Sequence, residues 1–368
     1  VSSGRPGWRI GLATVLITLY GLALWNGHEK KGGGWGAASD QFGYEPDPVG
    51  AAEFLESLDV RFFADAAPDA MAKAEEVDTF LYRAMDAASR ERYGKPFVPG
   101  RQLNGSCVAW GAMHAVFCAE AIEWQLGNRG EPPIMPATCS IYGGSRVESK
   151  MKQDFDGSRP AGGWSDGSTG YRAARWLRDW GVIYRQQYTH NGQTLDLTQY
   201  NKDRERRWGA FGNGGDDKAF ALWLDRKAAE TPCKHVVNVR TWEELVAAIT
   251  SGYPVTIASS QGFTKTRDED GFCAGPPSIR WMHQMCLAGI RFKKNGGGSD
   301  PRDGALVINS WGNYVDGGKW PQDQPDGTFW AERETVERIL AQGDSWAIAE
   351  VEFRWRDISH DNWLGLER

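Results

Sequence analysis

The sequence predicts an α+β protein whose first half is helical and whose second half is rich in strands. Three observations carry this. Residues 102–126 run from an Asn-Gly loop into a stretch where Val108, Ala112, Ala115, Ala119, Ile122 and Leu126 recur at steps of four and three, one buried face of a helix. A second helix is expected at 168–181, with Ser168 to cap it, Ala173, Ala174, Leu177 and Trp180 on its apolar side and Gly181 to end it. Beyond Pro254 the pattern changes to short apolar runs between turns, at 255–259, 284–290, 306–308, 327–330 and 346–353.

In chain order, residues 10–25 form an uncharged apolar run behind Arg5 and Arg9. The run is shorter than the ~20 residues of a comfortable membrane span. It reads as a signal peptide or a short membrane anchor, which makes the expected location secreted or membrane-anchored, with membrane association through residues 10–25. GGGWGAAS at 32–39 reads as a flexible linker, so residues 1–36 are set apart. Residues 37–95 are expected to be a helical N-terminal extension or a propeptide, with helices at 51–58 and 70–92 punctuated by Pro48, Pro68 and Pro96. Leu81, Met85 and Ala88 space as a helix stripe. Residues 96–232 make up the helical half, loop-rich at 127–160 and carrying a charged, Gly-punctuated surface insertion at 200–232. Residues 233–356 open with a helix at 241–250 and continue as strands, and 357–368 form a tail without a pattern.

Composition narrows the function. The net charge of −6 offers no general attraction to nucleic acid. Eighteen tryptophans are scattered from Trp8 to Trp363, which suits a core and a cleft better than an aromatic binding strip. No Cys/His grouping has zinc-site spacing and no phosphate-binding or dinucleotide fingerprint occurs, so neither a metal nor a cofactor is expected.

The chemistry centres on Cys107. Ser106 is placed to cap the 107–126 helix, so Cys107 falls in its first turn, where partial positive charge and unpaired N–H groups favour a thiolate. GSCVAW, with Gln102 five residues before Cys107, resembles the nucleophile motif of papain-like cysteine peptidases. WMHQMCLAGI, holding His283, resembles that family's histidine strand, and ALVINSWGNYVDGG, holding Asn309, Ser310, Trp311 and Gly312, is similar to its asparagine motif. The three follow in the family's order and the resemblance spans roughly residues 96–355.

The resemblance implies a two-lobed papain-like fold, with the helix of Cys107 in a helical lobe packed on a β-rich lobe that bears His283 and Asn309. It implies a thiol hydrolase that cleaves peptide or protein substrates through a thioester acyl-enzyme. Cys107 would be the nucleophile, His283 the proton carrier, and Asn309 the group that orients the imidazole under the shield of Trp311. Gln102 and the Cys107 N–H would hold the oxyanion. The family's Gly-rich, substrate-pairing turn corresponds to Gly162, Gly163, Gly167 and Ser168. The family's glutamine usually stands six residues before the cysteine, whereas Gln102 stands five before, which leaves Asn104 and Arg101 as alternative donors. Secreted members usually have another cysteine where this chain has Asn104, so that disulfide is absent, and the five other cysteines allow at most two bridges. Two other readings share the scaffold: a non-catalytic structural or binding role, and a thiol-dependent amidase or acyl transferase.

Overall fold

The computed structural model of the chain describes residues 42–150, 163 and 165–358, within a unit that covers residues 37–368. The apolar run at 10–25, the linker at 32–39 and most of the tail lie outside the described residues. Among the described residues, no helix is long and apolar enough to cross a membrane.

Among the described residues, four helices precede the nucleophile loop: α1 (Pro48–Glu56), α2 (Phe63–Ala66), α3 (Pro68–Lys73) and α4 (Tyr82–Tyr93). The single helix expected across 70–92 is broken, because Thr79 leaves it to exchange two backbone hydrogen bonds with Ile290, at 2.9 and 2.8 Å. Helix α5 (Cys107–Gln125) follows, with every residue from Cys107 to Glu123 buried. It is the axis of the molecule rather than an amphipathic surface helix. Its outer side packs on α4, where Ala84, Met85 and Ala88 are fully buried, as is the N-cap residue Leu81.

The region expected to be loop contains a buried helix, α6 (Thr138–Arg146). Gly143 and Gly144 lower its intrinsic propensity, but packing requires the second of them. A Cβ on Gly144 would stand 2.1 Å from the Trp176 ring. Trp176 belongs to α7 (Gly170–Asp179), whose N-cap is Thr169, accepting the Arg172 N–H at 3.3 Å, and not Ser168. A hairpin of β1 (Gln187–His190) and β2 (Gln193–Asp196) leads to α8 (Lys202–Phe211) and α9 (Lys218–Ala228). The expected surface insertion is therefore a packed element. Glu205, Trp208, Gly209 and Ala210 of α8 are buried, and α8 packs on α6.

The β-rich lobe consists of β3 (His235–Asn238), α10 (Trp242–Thr250), β4 (Val255–Gln261), β5 (Thr266–Arg267), β6 (Arg280–Arg291), β7 (Gly304–Ile308), β8 (Asp316–Gly317), β9 (Thr328–Glu332), α11 (Arg333–Leu340) and β10 (Ser345–Ala349). Six of the strands form an antiparallel sheet in the order β3-β10-β4-β6-β7-β9. β6 lies against α5, and Gln284 Nε2 donates to the Val108 carbonyl at 3.2 Å. That contact is the seam between the lobes, and it places the residue after His283 beside the residue after Cys107. All six cysteines are free and buried, so neither of the two conceivable bridges forms.

Candidate active site

Cys107 is the first residue of α5 and is fully buried. Ser106 occupies the N-cap position, but its side chain does not cap. Its hydroxyl donates instead to Glu205 of α8 at 2.7 Å, and the Tyr200 hydroxyl donates to the same carboxyl oxygen at 2.8 Å. Tyr200 also hydrogen-bonds Asn104 Oδ1 at 2.8 Å and accepts the Leu103 N–H at 3.2 Å. Glu205 is thus a buried clamp on the loop that carries Cys107. Sequence reasoning missed it because the contact joins residues about a hundred positions apart. Burial lifts its carboxyl to about 7 against the donors Ser106, Thr138 and Tyr200, which pull it down. Glu205→Ala leaves the buried Ser106 hydroxyl without its acceptor, while Tyr200 keeps Asn104 Oδ1, and is expected to cost about 1–3 kcal/mol of stability. Denaturant unfolding measures this, and Glu205→Gln, which keeps the acceptor, is expected to lose less.

His283 lies on β6, fully buried. Its Nε2 stands 2.7 Å from Asn309 Oδ1. The same oxygen accepts the Ser310 N–H at 2.6 Å, so the Asn309 amide is oriented with its oxygen inward. Nε2 must then carry the proton, which leaves Nδ1 as the basic nitrogen, buried and without a hydrogen-bond partner. Trp311 packs on the imidazole with ring centroids 4.7 Å apart and keeps the Asn309 bond from water.

Gln102 is buried and ties the Cys107 loop to the asparagine loop. Its N–H donates to the Ser310 carbonyl at 2.8 Å, and its Oε1 accepts the Ser310 hydroxyl at 2.5 Å. Arg101 pairs with Trp311 through a backbone bridge and its side chain is exposed. Gln102 Nε2 reaches the Asn104 carbonyl at 3.0 Å. The Asn104 side chain is committed to Tyr200 and, at 3.5 Å, to the Lys202 carbonyl. Of the two amides, the one at 102 bridges the lobes and the one at 104 faces α8.

The glycine-rich turn is held by a residue the sequence did not single out. Arg146, buried at the end of α6, donates to the carbonyls of Gly163 (2.9 Å), Gly167 and Gly209 (2.8 Å). Gly167 has φ +114°, which favours glycine, and a Cβ there would stand 2.5 Å from the Glu45 carboxyl. Gly162 lies outside the described residues.

Across this site runs the chain's own segment 42–45. Gly43 O accepts the Ser168 N–H at 2.8 Å, and Glu45 donates back to the Ser168 carbonyl at 2.8 Å. The N–H groups of Gly43 and Tyr44 both reach the carbonyl of Met282, at 3.2 and 3.1 Å. The Phe42 ring meets His283 and Trp311 edge-on, with centroids at 6.1 and 5.5 Å. Only glycine fits at position 43, since a Cβ would lie 1.9 Å from the Gly105 carbonyl oxygen. The backbone N–H groups of Gln284, Val108 and Gly43 favour a Cys107 thiolate. Under this cover, burial pushes the Cys107 thiol up to about 12, outweighing those N–H groups. Burial also pulls His283 down to about 4 against the opposing bond to Asn309. Both groups are neutral near pH 7.

The chain carries the papain-like fold. Xylellain, a cysteine protease from Xylella fastidiosa, superposes over 85% of this chain and 97% of its own, with a TM-score of 0.52 and 16% identity. A procathepsin B from Trypanosoma congolense matches over 92% and 97% at 10% identity and a TM-score of 0.49. Procathepsin L 3 of Tenebrio molitor larval midgut matches over 91% and 88% at 13% identity and a TM-score of 0.43. No family model matches the chain, and no curated protein matches it in sequence. Within the papain-like fold, Cys107 opens α5 on the helical side of the seam, one residue from the Gln284–Val108 contact, and the hydrogen-bonded pair of His283 and Asn309 lies on the β-rich side.

Proposed function

We propose that the chain is a cysteine peptidase held in a covered form by residues 42–45. The observation that carries this reading is the seating of Gly43, Tyr44 and Glu45. An extended peptide already lies along the turn at Ser168 and over Cys107, held by main-chain hydrogen bonds in the manner of a bound strand. A substrate that replaced the segment would bring a carbonyl carbon to the sulfur.

In the uncovered site Cys107 attacks as thiolate, its proton held on Nδ1 of His283. The imidazolium then gives that proton to the leaving amine, and later draws one from the water that releases the acyl group. Asn309 fixes the ring through Nε2. The Cys107 N–H and the Gln102 amide hold the oxyanion. Residues 46–95 serve as a permanent part of the fold, since α4 contributes fully buried side chains to the core around α5. Only the short 42–45 stretch acts as cover.

The test is hydrolysis of a fluorogenic peptide by the full chain with the cover loosened, compared with Gln102→Ala and Asn104→Ala. Gln102→Ala is expected to lower kcat on the order of 10²-fold with KM nearly unchanged, because its amide acts on charge present only in the tetrahedral state. Asn104→Ala is expected to be much milder. A severe loss at Asn104 with a near-neutral Gln102 would reverse the assignment of the donor, and the absence of any hydrolysis would overturn the reading of the chain as a peptidase.

A further inference from the structure

Tyr200 stands two residues before α8 and reaches across to the loop that carries Cys107. Its ring packs edge-on against Trp110, in the first turn of α5, with centroids 5.2 Å apart. Its hydroxyl accepts the Leu103 N–H at 3.2 Å and stands 2.8 Å from both Asn104 Oδ1 and Glu205 Oε2. The phenol has one hydrogen, shared between those two acceptors. Burial pushes the Glu205 carboxyl up to about 7, and the neutral acid competes for that hydrogen less than a carboxylate would. Asn104 is buried, and its Nδ2 donates to the Lys202 carbonyl at 3.5 Å. Its own carbonyl accepts the Ser106 N–H at 2.7 Å and Gln102 Nε2 at 3.0 Å. Ser310 holds the other end of the Gln102 amide, donating to Oε1 at 2.5 Å. An amide nitrogen carries two hydrogens in one plane, so the one on Asn104 sets the direction of the other. A chain of contacts thus runs from the segment before α8, through Asn104, to the amide assigned to the oxyanion.

We propose that Tyr200 is a positioning residue of the reaction: through Asn104 it holds the Gln102 amide in line for the oxyanion. The inference rests on the reading of the chain as a peptidase with Gln102 as a donor. A donor stabilises the developing charge best when it already points at the place where that charge forms. Residues 103–106 form neither helix nor strand, so the shape of this loop depends on its hydrogen bonds, and Tyr200 meets it at both 103 and 104. Tyr200→Phe keeps the ring on Trp110 and does not touch the turn at Ser168 where the peptide backbone binds. The loss therefore falls on kcat and not on KM. The net worth of one neutral hydrogen bond sets its size at about three- to tenfold.

The experiment uses the full chain carrying Phe42→Ala/Tyr44→Ala, which loosens the cover, with and without Gln102→Ala. Tyr200→Phe is added to each, and one fluorogenic peptide gives kcat and KM. With Gln102 present, kcat is expected to fall about three- to tenfold while KM stays within about twofold. In the Gln102→Ala background the same substitution is expected to change kcat by less than about twofold, because the amide it directs is gone. Alkylation of Cys107 by iodoacetamide forms no oxyanion, so its rate is expected to stay within about twofold in Tyr200→Phe. Equal losses in the two backgrounds overturn the proposal and leave the peptidase standing. So does an unchanged kcat, a loss confined to KM, or slowed alkylation, since Tyr200 would then not act through the Gln102 amide. If Tyr200→Phe fails to fold, Asn104→Ala takes its place in the same cycle and the same outcomes decide. Absence of hydrolysis in the parent chain overturns the peptidase reading, and the proposal falls with it.

Discussion

Cys107→Ser is expected to lower peptide hydrolysis on the order of 10⁴-fold or more while leaving the fold intact, because removing the nucleophile of a concerted catalytic group costs nearly as much as removing the group. The substitution exchanges one atom at a fully buried helix start and leaves the Glu205 clamp and the Gln284–Val108 seam untouched. Thermal unfolding serves as the control for folding. Hydrolysis that survives in this variant would place the nucleophile elsewhere.

Loosening the cover is expected to have the second largest effect. In Phe42→Ala/Tyr44→Ala the ring over His283 and Trp311 and the buried phenol of Tyr44 are both gone, and water reaches Cys107. With the thiol held at about 12 in the covered chain, the thiolate fraction at pH 7 is roughly 10⁻⁵. A cysteine at an open helix N-terminus beside a protonated histidine commonly ionises between about 3.5 and 7.5. The less basic thiolate is a weaker nucleophile, which takes back part of the gain. The net expectation is a rise of about 10²–10³-fold in alkylation of Cys107 at pH 7. The pH profiles should differ in shape as well. Alkylation of the covered chain should climb with pH through the alkaline range toward about 12, and that of the opened variant should be nearly level from neutral upward. Matching profiles for the two chains would show that the segment does not control the thiol.

Much of the fold and of the candidate site was legible in the sequence because its parts sit in short, contiguous runs. The α5 periodicity located the central helix, the short apolar runs located β4, β6, β7, β9 and β10, and three local motifs pointed to Cys107, His283 and Asn309. What the sequence concealed is long-range. Helix α6 reads as loop because Gly143 and Gly144 weaken it, and only the Trp176 ring explains the second glycine. Glu205 reads as one charge among many on a surface stretch until Ser106 and Tyr200 are seen to bond it. The same contact explains why Ser106 does not cap its helix. Arg146 acquires meaning only from the backbone groups it meets. Residues 42–45 carry no motif at all, since their effect depends on what they lie against.

The most direct measurement is to treat the Phe42→Ala/Tyr44→Ala chain with a thiol-directed peptide epoxide and map the adduct by mass spectrometry. The expected result is one stoichiometric adduct on Cys107, formed together with loss of peptide hydrolysis and absent when His283 is replaced by alanine. Adduct on another cysteine, or full hydrolysis after Cys107 has been modified, would contradict a Cys107–His283 nucleophile.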